Sequence, residues 1–257
     1  MEKEFLISHG MLKIACRLSE PAGPVRRVVL GVHGLAGSAT DEIQTGLAEE
    51  MPLFGSAVLR FDFPAHGQSP VTDKELNLKS CIASLLAVAR FAREQYPQVE
   101  DLCIFATGFG AYVTLIGLEE LLELPGRVKL VVQTPSVRMH DTLLSMLNLT
   151  PQAFYLVERM TIPLPRPFDV TYRFYEELLD HVALTSHPIP MLILHGEADD
   201  YIRTSDIMHF RRINEQSKLV IIPGTSHRFL EDGAWDMVLD LTRDWFEFEQ
   251  VLLTDWI

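Results

Sequence analysis

Cysteine and basic residues are scarce in this 257-residue sequence. The three cysteines, Cys16, Cys81 and Cys103, are widely spaced and form no Cys-X-X-Cys pair or Cys/His ligand pattern. Such a set argues against a disulfide framework and against a zinc site. With 22 Lys and Arg against 35 Asp and Glu, the formal net charge is −13 at pH 7. An acidic chain of this kind is not expected to bind nucleic acid or an anionic membrane.

Long apolar runs and a targeting segment are also missing. No uninterrupted apolar stretch approaches the roughly 20 residues of a membrane-spanning helix. Residues 1–5 lack the basic head and apolar stretch of a signal peptide. The hydrophobic fraction of 47% and charged fraction of 22% are typical of a soluble globular protein. We therefore expect a cytoplasmic protein with no metal site.

Short apolar runs recur along the chain and predict strands. They lie at residues 28–32, 58–61, 102–105, 130–132, 191–194 and 219–222. Because each run is continuous rather than alternating, it is typical of a strand buried on both faces of a parallel sheet. Earlier in the chain, residues 5–7 and 11–14 flank His9-Gly10 and predict an antiparallel hairpin.

Segments with a helical period separate these runs. They cover residues 77–95, 110–123, 204–215 and 232–253. Strands that alternate with helices predict an α/β fold with a mostly parallel, doubly wound sheet. After Thr134-Pro135 about fifty residues pass before the next strand, which is long for a loop. We expect a mostly helical insertion at about residues 136–187, standing over the end of the sheet, within a single domain spanning 1–257.

Two turns that follow predicted strands have different predicted roles. One offers free backbone N–H groups, and the other is a structural loop. The strand at 28–32 runs into His33-Gly34-Leu35-Ala36-Gly37, where glycines leave N–H groups free to bind an anionic oxygen. An ordinary glycine-rich turn is the alternative. The strand at 58–61 runs into Asp62 through Ser69. We interpret this second loop as structural, with Asp62 and Ser69 bonded to local backbone.

A third turn has the pattern of a nucleophile elbow. The strand at 102–105 leads through Ala106-Thr107-Gly108-Phe109-Gly110 into a predicted helix. Small residues two before and two after the central position are typical of this strained turn. The reactive residue is expected at position 108, which is glycine. Gly108 has no side chain, so no covalent acyl-enzyme can form there.

Two further turns carry a carboxylate and an imidazole. The strand at 191–194 ends in His195-Gly196-Glu197-Ala198-Asp199-Asp200, and the strand at 219–222 ends in Pro223-Gly224-Thr225-Ser226-His227. A carboxylate after a strand end is well placed to orient a histidine. We prefer Asp199, three residues after the glycine, to Asp200. A turn cap for Asp199 and a surface position for His227 are the alternatives.

Together these turns resemble those of the α/β-hydrolase family across nearly the whole chain. The resemblance rests on His33-Gly34, Asp62 to Ser69, Ala106 to Gly110, Gly196 to Asp199 and Gly224 to His227. The inserted lid and the stretch from Thr225 to Phe229 are similar to small serine esterases of the cinnamoyl or feruloyl esterase kind. The resemblance implies an α/β-hydrolase fold and no cofactor. It implies oxyanion donors at the backbone N–H groups of Leu35 and Phe109, with Asp199 holding His227 as general base.

The serine of this family corresponds to Gly108, and two functions remain open. One is a carboxylic-ester hydrolase scaffold that lacks its nucleophile through engineering or natural variation, and so is inactive or severely impaired. The other is a natural pseudoenzyme that binds a small acyl or aromatic ligand without turnover. The presence of both Asp199 and His227 favours the first. A water in place of the missing side chain could be activated by His227.

Other chemistry fits the sequence less well. Thr107, Ser226 and Ser38 are not expected to replace the nucleophile. Gly108-Phe109-Gly110 begins like a dinucleotide-binding fingerprint, but Val113 occupies the third glycine position and no acidic residue ends the next strand. We expect a small-molecule ester or ligand, with an apolar or aromatic acyl group, as the partner. The sequence leaves a homodimer open.

Overall fold

The structure is a computed structural model, and it describes residues 2–10, 12–71, 76–163 and 166–251. The predicted strand residue Met11, the proline-rich positions Leu164 and Pro165, and the predicted helical residues 252–253 lie outside the described residues. Among the described residues, no helix is long and apolar enough to span a bilayer.

The centre of the molecule is an eight-stranded sheet. Its strands are β1 (Glu2–His9), β2 (Leu12–Ser19), β3 (Arg27–Val32), β4 (Ser56–Phe61), β5 (Asp101–Thr107), β6 (Arg127–Gln133), β9 (Met191–Gly196) and β10 (Lys218–Ile222). Their order across the sheet is β1-β2-β4-β3-β5-β6-β9-β10. β1 and β2 pair antiparallel, and β2 pairs antiparallel with β4. The remaining pairs are parallel. The predicted hairpin and all six predicted strand runs are therefore confirmed.

Helices cover both faces of the sheet. They are α1 (Glu42–Glu50), α2 (Leu78–Gln95), α3 (Gly108–Ile116), α4 (Leu118–Leu122), α5 (Met139–Leu147), α6 (Pro151–Val157), α7 (Tyr172–Leu179), α8 (Thr204–Ile213) and α9 (Ala234–Phe248). Side chains of β3 alternate between the two faces: Val28 and Leu30 join the cluster with α2, α3 and α8, whereas Val29 joins the cluster with α1 and α9. Burial on both faces explains why the strands are continuously apolar.

Some helix boundaries differ from the prediction. The helix expected over residues 110–123 is interrupted at Gly117, which caps α3 and precedes α4. The last helix ends at Phe248, where Glu249 adopts a left-handed conformation. α1 was not predicted. Its apolar contribution is short, with Ile43 and Leu47 buried in nine residues, so its periodic signal is weak.

The segment 136–187 contains α5, α6 and α7 and an antiparallel pair that the sequence did not predict. The pair consists of β7 (Arg159–Ile162) and β8 (Phe168–Thr171). In β8, Phe168 and Val170 are buried and alternate with more exposed residues, so the strand signal is present but only four residues long. Side chains from this segment share one buried cluster with the central sheet; they include Leu143, Phe154, Val170, Phe174 and Leu178.

Candidate active site

The candidate site lies at the edge of the sheet where the parallel strands end. β3, β4, β5, β9 and β10 run in the same direction, so the loops that follow them meet at one edge. In open α/β sheets this edge is where ligands bind. All five turns singled out from the sequence follow these strands.

The turn between β5 and α3 places Gly108 in a left-handed conformation, with φ +48°. A Cβ atom at position 108 would have His227 Nε2, at 3.9 Å, as its nearest non-local neighbour. Gly110 is different, because a Cβ there would overlap the His33 carbonyl oxygen and lie 2.7 Å from the Val32 carbonyl oxygen. Position 110 therefore requires glycine for packing, whereas position 108 has open space in front of an imidazole.

Asp199 and His227 are in direct contact. His227 Nδ1 lies 2.8 Å from Asp199 Oδ2, and the Asp199 side chain is completely buried. The two loops cross closely, since a Cβ at Gly196 would overlap the Thr225 carbonyl oxygen and lie 2.8 Å from that of Ser226. Asp200 is exposed. The carboxylate fixes the proton on Nδ1, which leaves Nε2 free to accept a proton on the side of Gly108.

The Asp199 carboxylate is held in its ionised form. Its Oδ1 accepts hydrogen bonds from the backbone N–H groups of Tyr201 and Ile202, both at 2.9 Å. Burial raises the pKa of Asp199, but the hydrogen bond from His227 and these backbone donors outweigh burial, so the pKa lies below its usual value. The ring of Tyr201 stands perpendicular to that of His227 at a centroid distance of 5.2 Å.

A second histidine, His195, lies behind this pair and was not predicted from the sequence. It is fully buried at the end of β9, with Nδ1 3.8 Å from Asp199 Oδ2. Its Nε2 lies 3.2 Å from Thr204 Oγ1. Burial lowers the pKa of His195, and the nearby Asp199 charge only partly opposes this shift. Its position four residues before Asp199 was the available signal.

The loop after β3 is held in place by two neutral histidines. His33 Nε2 accepts a hydrogen bond from the Phe63 N–H at 3.0 Å, and His66 Nε2 accepts one from the Ala36 N–H at 3.2 Å. Burial lowers the pKa of His33 to about 4 and that of His66 to about 3. Neutral rings can accept these bonds, whereas protonated rings cannot. The loop that carries Leu35 is thus fixed from the neighbouring strand.

The N–H of Phe109 is the second predicted oxyanion donor. Phe109 is the second residue of α3, and the first N–H groups of a helix have no partner within the helix. The positive end of the helix dipole adds to the attraction for an anionic oxygen at this point. Leu35 and Phe109 both line the same pocket as Gly108 and His227.

Asp62 has a wider structural role than its own loop. Its carboxylate accepts from the Gln68 N–H at 2.8 Å, within the loop, and from the Ala39 N–H at 2.7 Å, across to the loop after β3. Ser69 Oγ accepts from the Val71 N–H at 3.3 Å. The loop from Asp62 to Ser69 therefore supports the site without contributing a reactive group.

A pocket of about 250 Å³ opens above Gly108. It is lined by Gly34, Leu35, Gly37, Asp41, Glu42, Ile43, Thr107, Gly108, Phe109, Gln133, Thr134, Ser136, Met139, Thr142, Met146, Arg166, His227, Arg228, Leu230 and Trp235. The insertion contributes Ser136, Met139, Thr142, Met146 and Arg166. Arg166 bonds to Asp41 and to Ser38, the latter at 3.2 Å. These residues join the insertion to the loop after β3.

The three other hydroxyl groups considered from the sequence have different environments. Thr107 Oγ1 lies 3.5 Å from the Val32 carbonyl oxygen. Ser38 Oγ donates to Asp41 Oδ1 at 3.1 Å. The Ser226 backbone N–H donates to Glu231 at 3.0 Å. Of the three residues, only Thr107 lines the pocket.

No protein-family model matches the sequence, and no curated protein sequence matches it either. Solved structures do match. Est1E from Butyrivibrio proteoclasticus with bound ferulic acid has 18% identity and a TM-score of 0.81, over 96% of this chain and 98% of that chain. Alpha/beta hydrolase domain-containing protein 10 from mouse has 15% identity and a TM-score of 0.80, over 96% and 100%. An esterase domain from a Rhodothermus marinus protein has 21% identity and a TM-score of 0.68, over 95% and 97%.

These similarities show which fold the chain has. The chain has the α/β-hydrolase fold, with a mostly parallel eight-stranded sheet and helices on both faces. The fold resemblance stated from the sequence is confirmed. At identities near 20% the likeness concerns the fold, and function has to be argued from the site.

Proposed function

We propose that this chain is a carboxylic-ester hydrolase scaffold of the serine-esterase type, with Gly108 at the nucleophile position. The observation that carries the proposal is the line from Asp199 through His227 to the space at position 108. The distances along it are 2.8 Å from Asp199 Oδ2 to His227 Nδ1 and 3.9 Å from His227 Nε2 to the place of a Cβ. A carboxylate, an imidazole and a hydroxyl in this order form a catalytic triad.

The roles of the remaining residues follow from this arrangement. The carbonyl oxygen of a bound ester would face the N–H groups of Leu35 and Phe109, which stabilise the oxyanion of the tetrahedral intermediate. His227 would remove a proton from the attacking group and return it to the leaving alcohol. Without a serine, a water at position 108 is the available nucleophile. Loss of a triad nucleophile costs on the order of 10⁶-fold in turnover, so this chain is inactive or severely impaired.

In this proposal, the insertion determines which substrates fit the pocket. We take residues 136–187 as a lid within a single domain spanning 1–257, because its apolar side chains share a buried cluster with the sheet. It supplies Met139, Met146 and Arg166 to the pocket. The apolar part of this lining suits an apolar or aromatic acyl group. The three buried, unpaired cysteines suit a reducing cytoplasm.

The second candidate function is a natural pseudoenzyme that binds a small acyl or aromatic ligand without turnover. The observation in its favour is the absence of a side chain at position 108, next to an intact pocket. The two candidates differ in what a serine would restore. In the first, every other catalytic group is in working geometry; in the second, the geometry needs only to bind.

Hydrolysis of a short and an aromatic chromogenic ester tests the proposal. The original chain, Gly108→Ser and Gly108→Ser/His227→Ala are compared side by side. We expect Gly108→Ser alone to show strong activity. If folded Gly108→Ser hydrolyses neither ester, the hydrolase proposal is overturned and the binding function is favoured. If the original chain has weak activity, loss of that activity in His227→Ala would assign it to a water activated by His227.

A further inference from the structure

The open space at position 108 also points to a class of ligand. This inference rests on the proposed placement of the oxyanion site and His227. In a serine esterase, the hydroxyl occupies the region between the start of α3 and the imidazole. In this chain a Cβ at position 108 would have no non-local neighbour nearer than His227 Nε2, at 3.9 Å. An atom of a ligand can enter this space and contact Nε2 directly.

We propose that the site binds free carboxylic acids, each together with one proton from solvent. One carboxylate oxygen takes the position of an ester carbonyl oxygen, at the N–H groups of Leu35 and Phe109. There the first turn of the nine-residue helix α3 favours negative charge. The second oxygen enters the space at Gly108 and forms a hydrogen bond with His227 Nε2.

The hydrogen bond to Nε2 requires a proton. Because Asp199 Oδ2 accepts from His227 Nδ1, the neutral imidazole presents a lone pair at Nε2. A carboxylate oxygen also presents only lone pairs, so the two repel unless a proton lies between them. The proton balance is the same whether the proton resides on the imidazole or on the acid. One carboxylate, one neutral His227 and one proton from solvent form the complex.

This balance makes acid binding depend on pH. Where His227 is neutral in the free protein, each unit of rising pH weakens acid binding by about tenfold, because one proton is taken up. A neutral amide of the same shape can donate its own N–H to Nε2 and takes up no proton. Its affinity is therefore expected to be nearly independent of pH.

The other charged groups near the site do not create a general attraction for acids. The groups that face His227 or line the pocket are Asp199, His195, Tyr201, Arg166, Arg228, Asp41 and Glu42. Arg166 is paired with Asp41, and the lining contains the acidic Glu42 as well as the basic Arg228. Acid binding thus depends on the start of α3 and on His227, and not on a general positive field.

The rest of the pocket selects an apolar remainder for the acid. Ile43, Phe109, Met139, Met146, Leu230 and Trp235 contribute apolar surface to its lining. A short chain that ends in a phenyl ring matches this lining, and 3-phenylpropionate is a suitable probe. Its primary amide is the neutral counterpart.

Isothermal titration calorimetry of the original chain with these two probes tests the proposal. The titrations are run at pH 6 and pH 8. At pH 8, in buffers of different ionisation enthalpy, we expect 3-phenylpropionate to bind with uptake of one proton. Its Kd should rise at least tenfold between the two pH values, while that of 3-phenylpropionamide changes less than twofold. An acid affinity that is independent of pH, or no acid binding at pH 6, would overturn the proposal.

Variants separate this inference from the hydrolase proposal. Gly108→Ala places a methyl group in the space and should weaken acid binding at least tenfold. Gly10→Ala also has a positive φ, with no neighbour within 4 Å, and should leave binding unchanged. His227→Gln should abolish the pH dependence. Unchanged acid binding in folded Gly108→Ala would contradict the inference, even if Gly108→Ser hydrolyses esters. Proton-linked acid binding would support the inference, even if Gly108→Ser hydrolyses no ester.

Discussion

His227 Nε2 is the nearest non-local heavy atom to the point where Gly108 would carry a Cβ, at a distance of 3.9 Å. This relationship joins two turns that are far apart in the sequence. It gives position 108 a specific chemical neighbour rather than general free space. The consequences of adding a side chain there, or at nearby glycines, can therefore be stated and measured.

The two glycines of the turn after β5 should respond differently to alanine. Gly110→Ala forces a Cβ against the carbonyl oxygens of Val32 and His33, and overpacking of this kind costs about 3 kcal/mol. Gly108→Ala meets no close atom and costs about 1 kcal/mol for a left-handed alanine. Urea unfolding of both variants, with Gly10→Ala as the control for a positive φ, measures the difference. Equal losses at positions 108 and 110 would contradict the packing described for this turn.

Stability should fall as the pH decreases from about 6.5 towards 4. His33 and His66 have pKa values of about 4 and about 3 in the folded protein, below the ordinary value of about 6.5. The unfolded chain therefore binds more protons in this range. The free energy of unfolding decreases by up to about 1.4 kcal/mol per pH unit for each histidine.

Urea unfolding at pH 4.5, 5.5 and 6.5 measures this slope. His66→Gln should make the slope shallower by about one proton, because its side chain no longer titrates. His209→Gln, on the exposed side of α8, serves as the matched control and should leave the slope as it is. Identical slopes for the original chain and His66→Gln would show that His66 does not remain neutral in the fold.

In the Gly108→Ser background, Asp199→Asn should reduce kcat by about 10⁴-fold, because an amide no longer holds the correct tautomer of His227. Asp200→Asn is the matched control, since Asp200 is adjacent and exposed, and the carboxylate bonded to His227 in the described structure is that of Asp199. It should leave kcat within about twofold. Steady-state kinetics with an aromatic chromogenic ester compare the two. A larger loss in Asp200→Asn would reassign the carboxylate.

The fold could be predicted from the sequence because its signals are local and repeated. Six continuous apolar runs identify strands buried on both faces, and turn residues follow them in order. The same order places Gly108, Asp199 and His227 at one edge of the sheet, and the structure brings these three together. Gly196 is an example of a local signal with a long-range cause, since only a residue without Cβ lets its loop pass the Thr225 carbonyl.

Other features depend on contacts that no local pattern contains. The bond between Arg166 and Asp41 joins residues 125 positions apart. The pair β7–β8 has strands of only four residues, too short to stand out from a loop rich in proline. His195 is placed behind Asp199 by the turn after β9, and the burial that lowers its pKa is visible only in three dimensions.

The most direct test of the account is covalent labelling of Gly108→Ser by a fluorophosphonate, followed by intact-mass and peptide analysis. A serine activated by His227 should take up one phosphonyl group per chain, on residue 108, with loss of fluoride. The original chain and Gly108→Ser/His227→Ala should remain unlabelled under the same conditions. Stoichiometric labelling confined to Ser at position 108 is the result that the account predicts. A folded Gly108→Ser chain that stays unlabelled, or that is labelled elsewhere, would contradict it.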